Sequence, residues 1–350
     1  MQPLAESADL RQRVFMGRTS TEFVCQACGH RATKWSGKCP DCGEWNAFAE
    51  ESAKAGNLRK PGKSRPYSQP VLPITAISPA AVHRLSTGIG ELDRVLGGGL
   101  VPGSLTLIGG DPGIGKSTLV LQSLYAIARA GSCVWYVSGE ESPEQIQLRA
   151  TRLGCLSANL QVCSEICIEE VLRILDRNPP SVMALDSIQT FFTSDLPSAP
   201  GTISQVREVA FKVFQACKTR GVPTIIIGHI TKDGAIAGPK ALEHIVDTVL
   251  TFEGDPGHTY RILRAVKNRF GPTPEMGVFE MRESGLEPVT NPSELFLSER
   301  PLETPGSVVV GAMEGTRPLM VEVQALVSPS SAIGMARRMA SGVDPNRVTL

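Results

Sequence analysis

One stretch, "SLTLIGGDPGIGKSTLVLQSLYAIARA", constrains this chain more than any other: an apolar run, a glycine-rich turn and a helical segment follow one another directly. Gly110, Gly115, Lys116 and Ser117 satisfy GxxxxGK(S/T); Asp111, Pro112, Gly113 and Ile114 complete the turn, and Thr118 follows it. In that strand-to-helix setting, backbone N–H groups cradle phosphates and the helix N-terminus favours their negative charge. Lys116 then reaches the β- and γ-phosphates, and Ser117 ligates Mg2+. ATP or GTP is the expected ligand; no base-reading element separates them.

Hydrolysis needs more than a cradle. The apolar segment "CVWYVS" delivers Gly139, Glu140 and Glu141 at its end, which in a parallel sheet is the edge where phosphates lie. A carboxylate there can orient or deprotonate the attacking water, so Glu140 is the expected base and Glu141 its surface neighbour. "SVMALD" ends in Asp186, placed to hold magnesium in the manner of a Walker B carboxylate, and "PTIIIGHI" reaches His229, where a polar group can sense the γ-phosphate. Helical segments alternate with these strands, implying a mostly parallel sheet covered on both faces. After His229 the strands "IVDTVLTFEG", "TYRILRAVK" and "EMGVFEMRE" follow without helices, an antiparallel addition that suggests a RecA-like core.

Nine cysteines are an odd number, and four of them cluster in "FVCQACGHRATKWSGKCPDCGEWN". Cys25, Cys28, Cys39 and Cys42 form two CxxC knuckles, each followed by a turn glycine, Gly29 or Gly43. Two such knuckles present four thiolates to one tetrahedral zinc and leave no open coordination position, so the metal is structural; a redox role is the weaker alternative. His30 reads as a surface residue. Lys34, Trp35 and Lys38 on the intervening loop either touch nucleic acid or a partner, or pack Trp35 over the metal core.

At 350 residues the chain holds more than one domain, and 35 basic against 35 acidic residues neither demand nor exclude a polyanionic partner. No apolar run reaches membrane-span length and the first twenty residues lack a signal-peptide centre, so a soluble, cytoplasmic protein is expected. The divisions expected are an extension over 1–22, a zinc finger over 23–50, a Pro- and Lys/Arg-rich linker over 51–82, an ATPase domain over 83–288 and a further segment over 289–350.

Three features in order carry a resemblance: the four-cysteine finger, the lead-in "STGIGELDRVLGGGLVPGSL" before the P-loop, and "KNRFG" at 267–271. Together they resemble the bacterial RadA/Sms family of RecA-superfamily ATPases, from about Phe23 to the C-terminus. The resemblance implies an ATP-driven, ring-forming motor, a hexamer, that tracks single-stranded and branched DNA and promotes branch migration in recombinational repair beside the recombinase RecA. It assigns ATP, Mg2+ and Zn2+ as cofactors. It also implies that Lys267 and Arg269 approach the γ-phosphate held by a neighbouring subunit, as arginine fingers do; direct contact with DNA phosphates is the alternative.

RecA-like proteins contact DNA through the loops after the third and fourth strands. Here these are "FFTSDLPSAPGTISQVR", with Arg207, and "TKDGAIAGPKALEH", with Lys232 and Lys240. From "NPSELFLSERPLETPGSVVVGAMEGTRPLMVEVQALV" the chain resembles the start of a Lon-protease-like α+β domain, without protease activity, that stops before it is complete. A nucleotide-switched, KaiC-like scaffold that binds protein partners would use the same motifs; the finger and KNRFG favour the motor.

Overall fold

The structure is a computed structural model; it describes residues 20–53, 73, 75, 83–229, 239–254, 259–297, 305–328 and 338–349. Lys232 lies outside the described residues, as do the extension before residue 20 and nearly all of the linker. Two compact units meet in the chain at Thr290 and Asn291.

The first unit begins with a small three-stranded antiparallel sheet, β1 (Ser20–Cys25), β2 (Arg31–Ala32) and β3 (Phe48–Ala53), in the order β2-β1-β3. Among the described residues its buried cluster is Cys25, Cys39 and Phe48, with Phe23, Ala27, Cys28, Ala32 and Ala47 partly buried against it, little apolar surface to hold a fold unaided. A metal cross-link through the cysteines would compensate for so small a core.

The lead-in then turns into α1 (Gly90–Leu96). Asp93 organises this turn by accepting from Ser86 Oγ at 2.6 Å, Thr87 N at 2.8 Å and Thr87 Oγ1 at 2.7 Å. From there strands and helices alternate: β4 (Leu105–Gly110), α2 (Lys116–Arg129), β5 (Val134–Ser138), α3 (Pro143–Arg152), β6 (Leu160–Ser164) and α4 (Ile168–Arg177). The series continues with β7 (Val182–Asp186), α5 (Ile203–Arg220), β8 (Thr224–His229), the short α6 (Pro239–Leu242) and β9 (Thr248–Glu253). Strands β10 (Tyr260–Asn268), β11 (Met276–Arg282) and β12 (Gly285–Pro288) close it.

All these strands share one nine-stranded sheet, ordered β12-β11-β10-β9-β4-β8-β7-β5-β6. The pairs from β9 through β6 are parallel and those from β9 outward to β12 antiparallel. The sequence suggested that the antiparallel addition starts with the first strand after His229; instead β9 joins β4 in parallel, and the reversal comes at β10. The central strands are buried on both faces, which explains their unbroken apolar runs. Residues alternate between two cores: Ile108, Val134, Tyr136 and Ala184 face α1, α2 and α3, while Leu107, Trp135, Val137 and Leu185 face α4, α5 and α6.

The second unit comprises α7 (Pro292–Leu297), the hairpin β13 (Ser307–Glu314) with β14 (Arg317–Gln324), and α8 (Pro345–Thr349). Met320 N donates to Ser293 Oγ at 3.0 Å, tying helix to hairpin.

Candidate active site

The P-loop forms where β4 ends and α2 begins. Gly110 (φ 159°) and Gly115 (φ 114°) are both required: a Cβ on the first would lie 2.5 Å from Phe252 O, and one on the second 2.7 Å from Met281 Cε. The first turn of α2 has no acidic residue and no side-chain cap, so its positive end is left to a ligand. Lys116 Nζ donates to Gly110 O and Asp111 O, each at 2.8 Å, curling over its own loop. Burial lowers the Lys116 pKa, while Asp186, Asp111 and Glu140 oppose that shift.

Parallel pairing brings the other strand ends to the same edge. Gly110 pairs with His229 and Ser138 with Asp186, so Glu140, Asp186 and His229 converge on the mouth of the P-loop. Glu140 Oε1 lies 3.1 Å from His229 Nε2 and accepts from Ser187 Oγ. The His229 hydrogen bond, against the opposing effect of burial, holds the Glu140 carboxyl below its ordinary range. Its turn is pinned by Ser138 Oγ, which accepts from Glu140 N at 3.2 Å and Glu141 N at 2.9 Å.

Asp186 is buried; its Oδ2 accepts from Tyr136 OH, while Oδ1 has no hydrogen-bond partner among the described residues. A buried carboxylate oxygen left without such a partner, near enough to Lys116 to oppose burial's lowering of the lysine pKa, fits a magnesium ion and its waters. Glu141, expected to be a surface neighbour, instead pairs with Arg149 at 2.6 Å. Tyr136 and Arg149 carry no distinguishing sequence signal, one lying within an apolar strand run and the other among the polar residues of a helical segment.

The four knuckle sulfurs lie within 4.8 Å of one another, with Cys25–Cys42 at 3.7 Å and Cys28–Cys39 at 3.6 Å. A zinc ion with Zn–S of about 2.3 Å sets tetrahedral sulfur edges of about 3.8 Å, so the donor set fits. Burial pushes the Cys39 thiol up, but the backbone N–H groups of Cys42 and Asp41 outweigh it and bring it to about 6. Burial and the neighbouring thiols raise Cys28, so with no metal bound the four sulfurs share protons rather than all standing as thiolates. Trp35 and Trp45 are 56% and 67% exposed, so Trp35 does not pack over the metal core. His30 makes an edge contact with Phe48 and lies 3.6 Å from Asp41.

Residues 85–175 match the KaiC ATPase family, and residues 23–50 match the rubredoxin metal binding domain family. The chain is 52% identical over 338 residues to the DNA repair protein RadA of Bacillus subtilis (strain 168), covering 96% of this chain and 74% of that protein. Against the DNA repair protein RadA of Aquifex aeolicus (strain VF5) it is 50% identical over 336 residues, with 96% and 74% covered. The chain belongs to the RadA family of DNA repair proteins. It carries the ATPase domain and four-cysteine zinc ribbon of that family.

In this RadA-family chain, KNRFG occupies the end of β10 and the turn beyond it, at the edge of the sheet opposite the P-loop. Asn268 pairs with Thr248 at the start of β9, and Thr248 pairs with Thr106 near the start of β4. Lys267 Nζ donates to Val246 O at 2.8 Å and to Glu243 O, tying down the segment after α6. Arg269 is half exposed and pairs through NH1 with Asp247 Oδ1 at 3.0 Å. Asp247 is buried, and its Oδ2 accepts from Leu105 N at 3.1 Å.

The expected DNA-contacting residues separate. Arg207 was expected in the loop after the third strand; it stands in α5, because the chain turns at Gly201 (φ 80°) and becomes helical from Ile203. It remains exposed, and NH1 would lie 2.8 Å from a Cβ on Gly29, so the guanidinium sits against the first zinc knuckle. Lys240 falls in α6, where Pro239 opens the helix; its side chain lies outside the described residues. No described helix is long and apolar enough to cross a membrane.

Proposed function

We propose that this protein is a DNA-stimulated ATPase of homologous recombination and repair, acting as a ring, a hexamer, on single-stranded and branched DNA to promote branch migration beside the recombinase RecA. The observation that carries this is the division of the sheet: a hydrolytic set at one edge and a cationic KNRFG at the other. Five residue steps of β4 separate them, about 17 Å at about 3.3 Å per residue, so Arg269 is out of reach of its own chain's nucleotide. A neighbouring copy's nucleotide is its natural target.

Within one subunit, the P-loop N–H groups and Lys116 bind and orient the ATP phosphates, while Ser117 and Asp186 would hold Mg2+. Bound magnesium would neutralise charge developing on the phosphates. Glu140 accepts the proton of the attacking water through its carboxylate, with His229 and Ser187 fixing that carboxylate and His229 reporting the γ-phosphate. Arg269 of one subunit stabilises the transition state in the next, and Lys267, its Nζ held by Val246 O and Glu243 O, anchors the segment that presents it. Arg207, Lys232 and Lys240 supply contacts to the DNA backbone.

Steady-state ATPase assays with and without single-stranded DNA, on wild type, Lys116→Ala and Arg269→Ala, test this. DNA stimulation abolished in both variants supports the motor. The KaiC match over 85–175 favours a second reading, a nucleotide-switched scaffold with protein partners, which a rate indifferent to DNA would select.

A further inference from the structure

Tyr136 lies in the middle of β5 and is fully buried, where a phenylalanine would fill the same space without a hydroxyl to satisfy. Burying a hydroxyl is unfavourable unless it is hydrogen-bonded, and this one is bonded twice. It donates to Asp186 Oδ2 and accepts from Arg149 NH2 at 2.9 Å. The register explains the meeting: Tyr136 pairs with Ala184, so Asp186 stands one pleat further along the neighbouring strand on the same face. Arg149 reaches the hydroxyl from α3, with its guanidinium carbon 5.5 Å from the Tyr136 ring centroid. The same guanidinium pairs with Glu141 at 2.6 Å, in the turn that presents Glu140.

We propose that Tyr136, braced by Arg149 and Glu141, is a positioning residue for magnesium at Asp186. By engaging Oδ2 it fixes the carboxylate rotamer and leaves Oδ1 as the oxygen offered to the metal. The line Glu141–Arg149–Tyr136–Asp186 also joins the strand end bearing the metal carboxylate to the turn bearing the catalytic one, so the two are set relative to each other. This rests on the ATPase reading above.

The test uses Tyr136→Phe, which keeps the ring, and Arg149→Gln, which leaves Tyr136 in place, in the full chain. Mn2+ binding is followed by electron paramagnetic resonance with a non-hydrolysable ATP analogue, and a fluorescent ATP analogue is titrated in EDTA and in Mg2+. In Tyr136→Phe the metal dissociation constant rises about tenfold, as expected for one lost charge-assisted hydrogen bond, and nucleotide affinity in EDTA is unchanged. Arg149→Gln shifts metal binding in the same direction by about threefold, the bond from Tyr136 to Asp186 being loosened rather than removed. The ATPase rate of Tyr136→Phe recovers as Mg2+ is raised.

Wild-type Mn2+ affinity in both variants overturns the proposal, as does an equal loss of nucleotide affinity in EDTA, which marks a packing role. Should Tyr136→Phe not fold, by circular dichroism, Arg149→Gln alone decides on the same readouts. Wild-type protein that binds no nucleotide, like Lys116→Ala, overturns the ATPase reading together with the proposal. Wild-type binding with unshifted variants overturns the proposal alone.

Discussion

Asp247→Ala removes the buried group that joins the start of β4 to KNRFG. In the wild type its Oδ2 satisfies Leu105 N at 3.1 Å, and its Oδ1 meets Arg269 NH1 at 3.0 Å, with Lys218 Nζ further off at 3.7 Å. Losing the carboxylate leaves the buried Leu105 N–H without its acceptor, at a cost of about 1–3 kcal/mol. The pairs to half-exposed Arg269 and Lys218 are screened and add at most about 1 kcal/mol. The sum, about 3 kcal/mol, corresponds to a Tm fall of about 6–12 °C for a unit of this size. Asp247→Asn keeps an acceptor for Leu105 N and loses only the charge, so it falls by about a third as much. Arg269→Ala takes the near partner from the buried Asp247 Oδ1, leaving Lys218 Nζ at 3.7 Å, and costs about 1 kcal/mol. Thermal melts followed by circular dichroism at fixed zinc measure all three. A Tm loss under about 2 °C for Asp247→Ala, or equal losses for Ala and Asn, refutes the assignment of Asp247 as the buried acceptor.

Glu140→Gln lowers kcat about 100- to 10,000-fold, with KM for ATP within about threefold of wild type, measured by steady-state hydrolysis; an unchanged kcat removes Glu140 as the base. Chelating zinc, or Cys39→Ser, unfolds the ribbon while the ATPase domain keeps its own cooperative transition, because the buried cluster of the ribbon's described residues is small, Cys25, Cys39 and Phe48; calorimetry with and without chelator separates the two events. Lys212→Met destabilises by about 1–3 kcal/mol at neutral pH, since Lys212 Nζ lies 2.6 Å from Glu169 and 2.8 Å from Asp195. Burial raises the Glu169 pKa, but the hydrogen bonds from Lys212 and Thr193 prevail and hold it at about 2, against 4.5 unfolded. The pair's contribution is thus complete above pH 4.5 and is lost as pH falls through about 2, so the Tm gap between wild type and variant narrows from pH 5 to pH 3.

Legibility followed chemistry that recurs at fixed spacing. The P-loop and the knuckles could be read because glycine positions and thiol spacing are set by backbone geometry within a few residues. Glu140, Asp186 and His229 could be read because parallel strands buried on both faces appear as apolar runs, and the polar residues at or just past their ends mark the phosphate edge. Tyr136 and Asp247 were hidden by the same rule: each sits inside or beside such a run, and only strand register reveals what its polar atom meets. Arg207 was misplaced because "PSAPGTISQVR" looks like loop up to the point where Gly201 turns the chain into α5.

The polarity of the sheet gives the proposed ring a sharp test. β4 starts beside Asp247, which holds Arg269, and ends in the P-loop, so bringing Arg269 to its own nucleotide would require dismantling the central strand of the sheet. Lys116→Ala rings lack phosphate binding and Arg269→Ala rings lack the finger, so each is inactive alone. In a mixed ring with head-to-tail interfaces, the intact P-loop of an Arg269→Ala subunit can face the intact finger of a Lys116→Ala subunit. Random mixing at equal amounts makes about a quarter of interfaces competent, so activity recovers toward about a quarter of wild type. Were Arg269 to act within its own subunit, no mixed interface would gain a working site, and the mixture would stay as inactive as its parts.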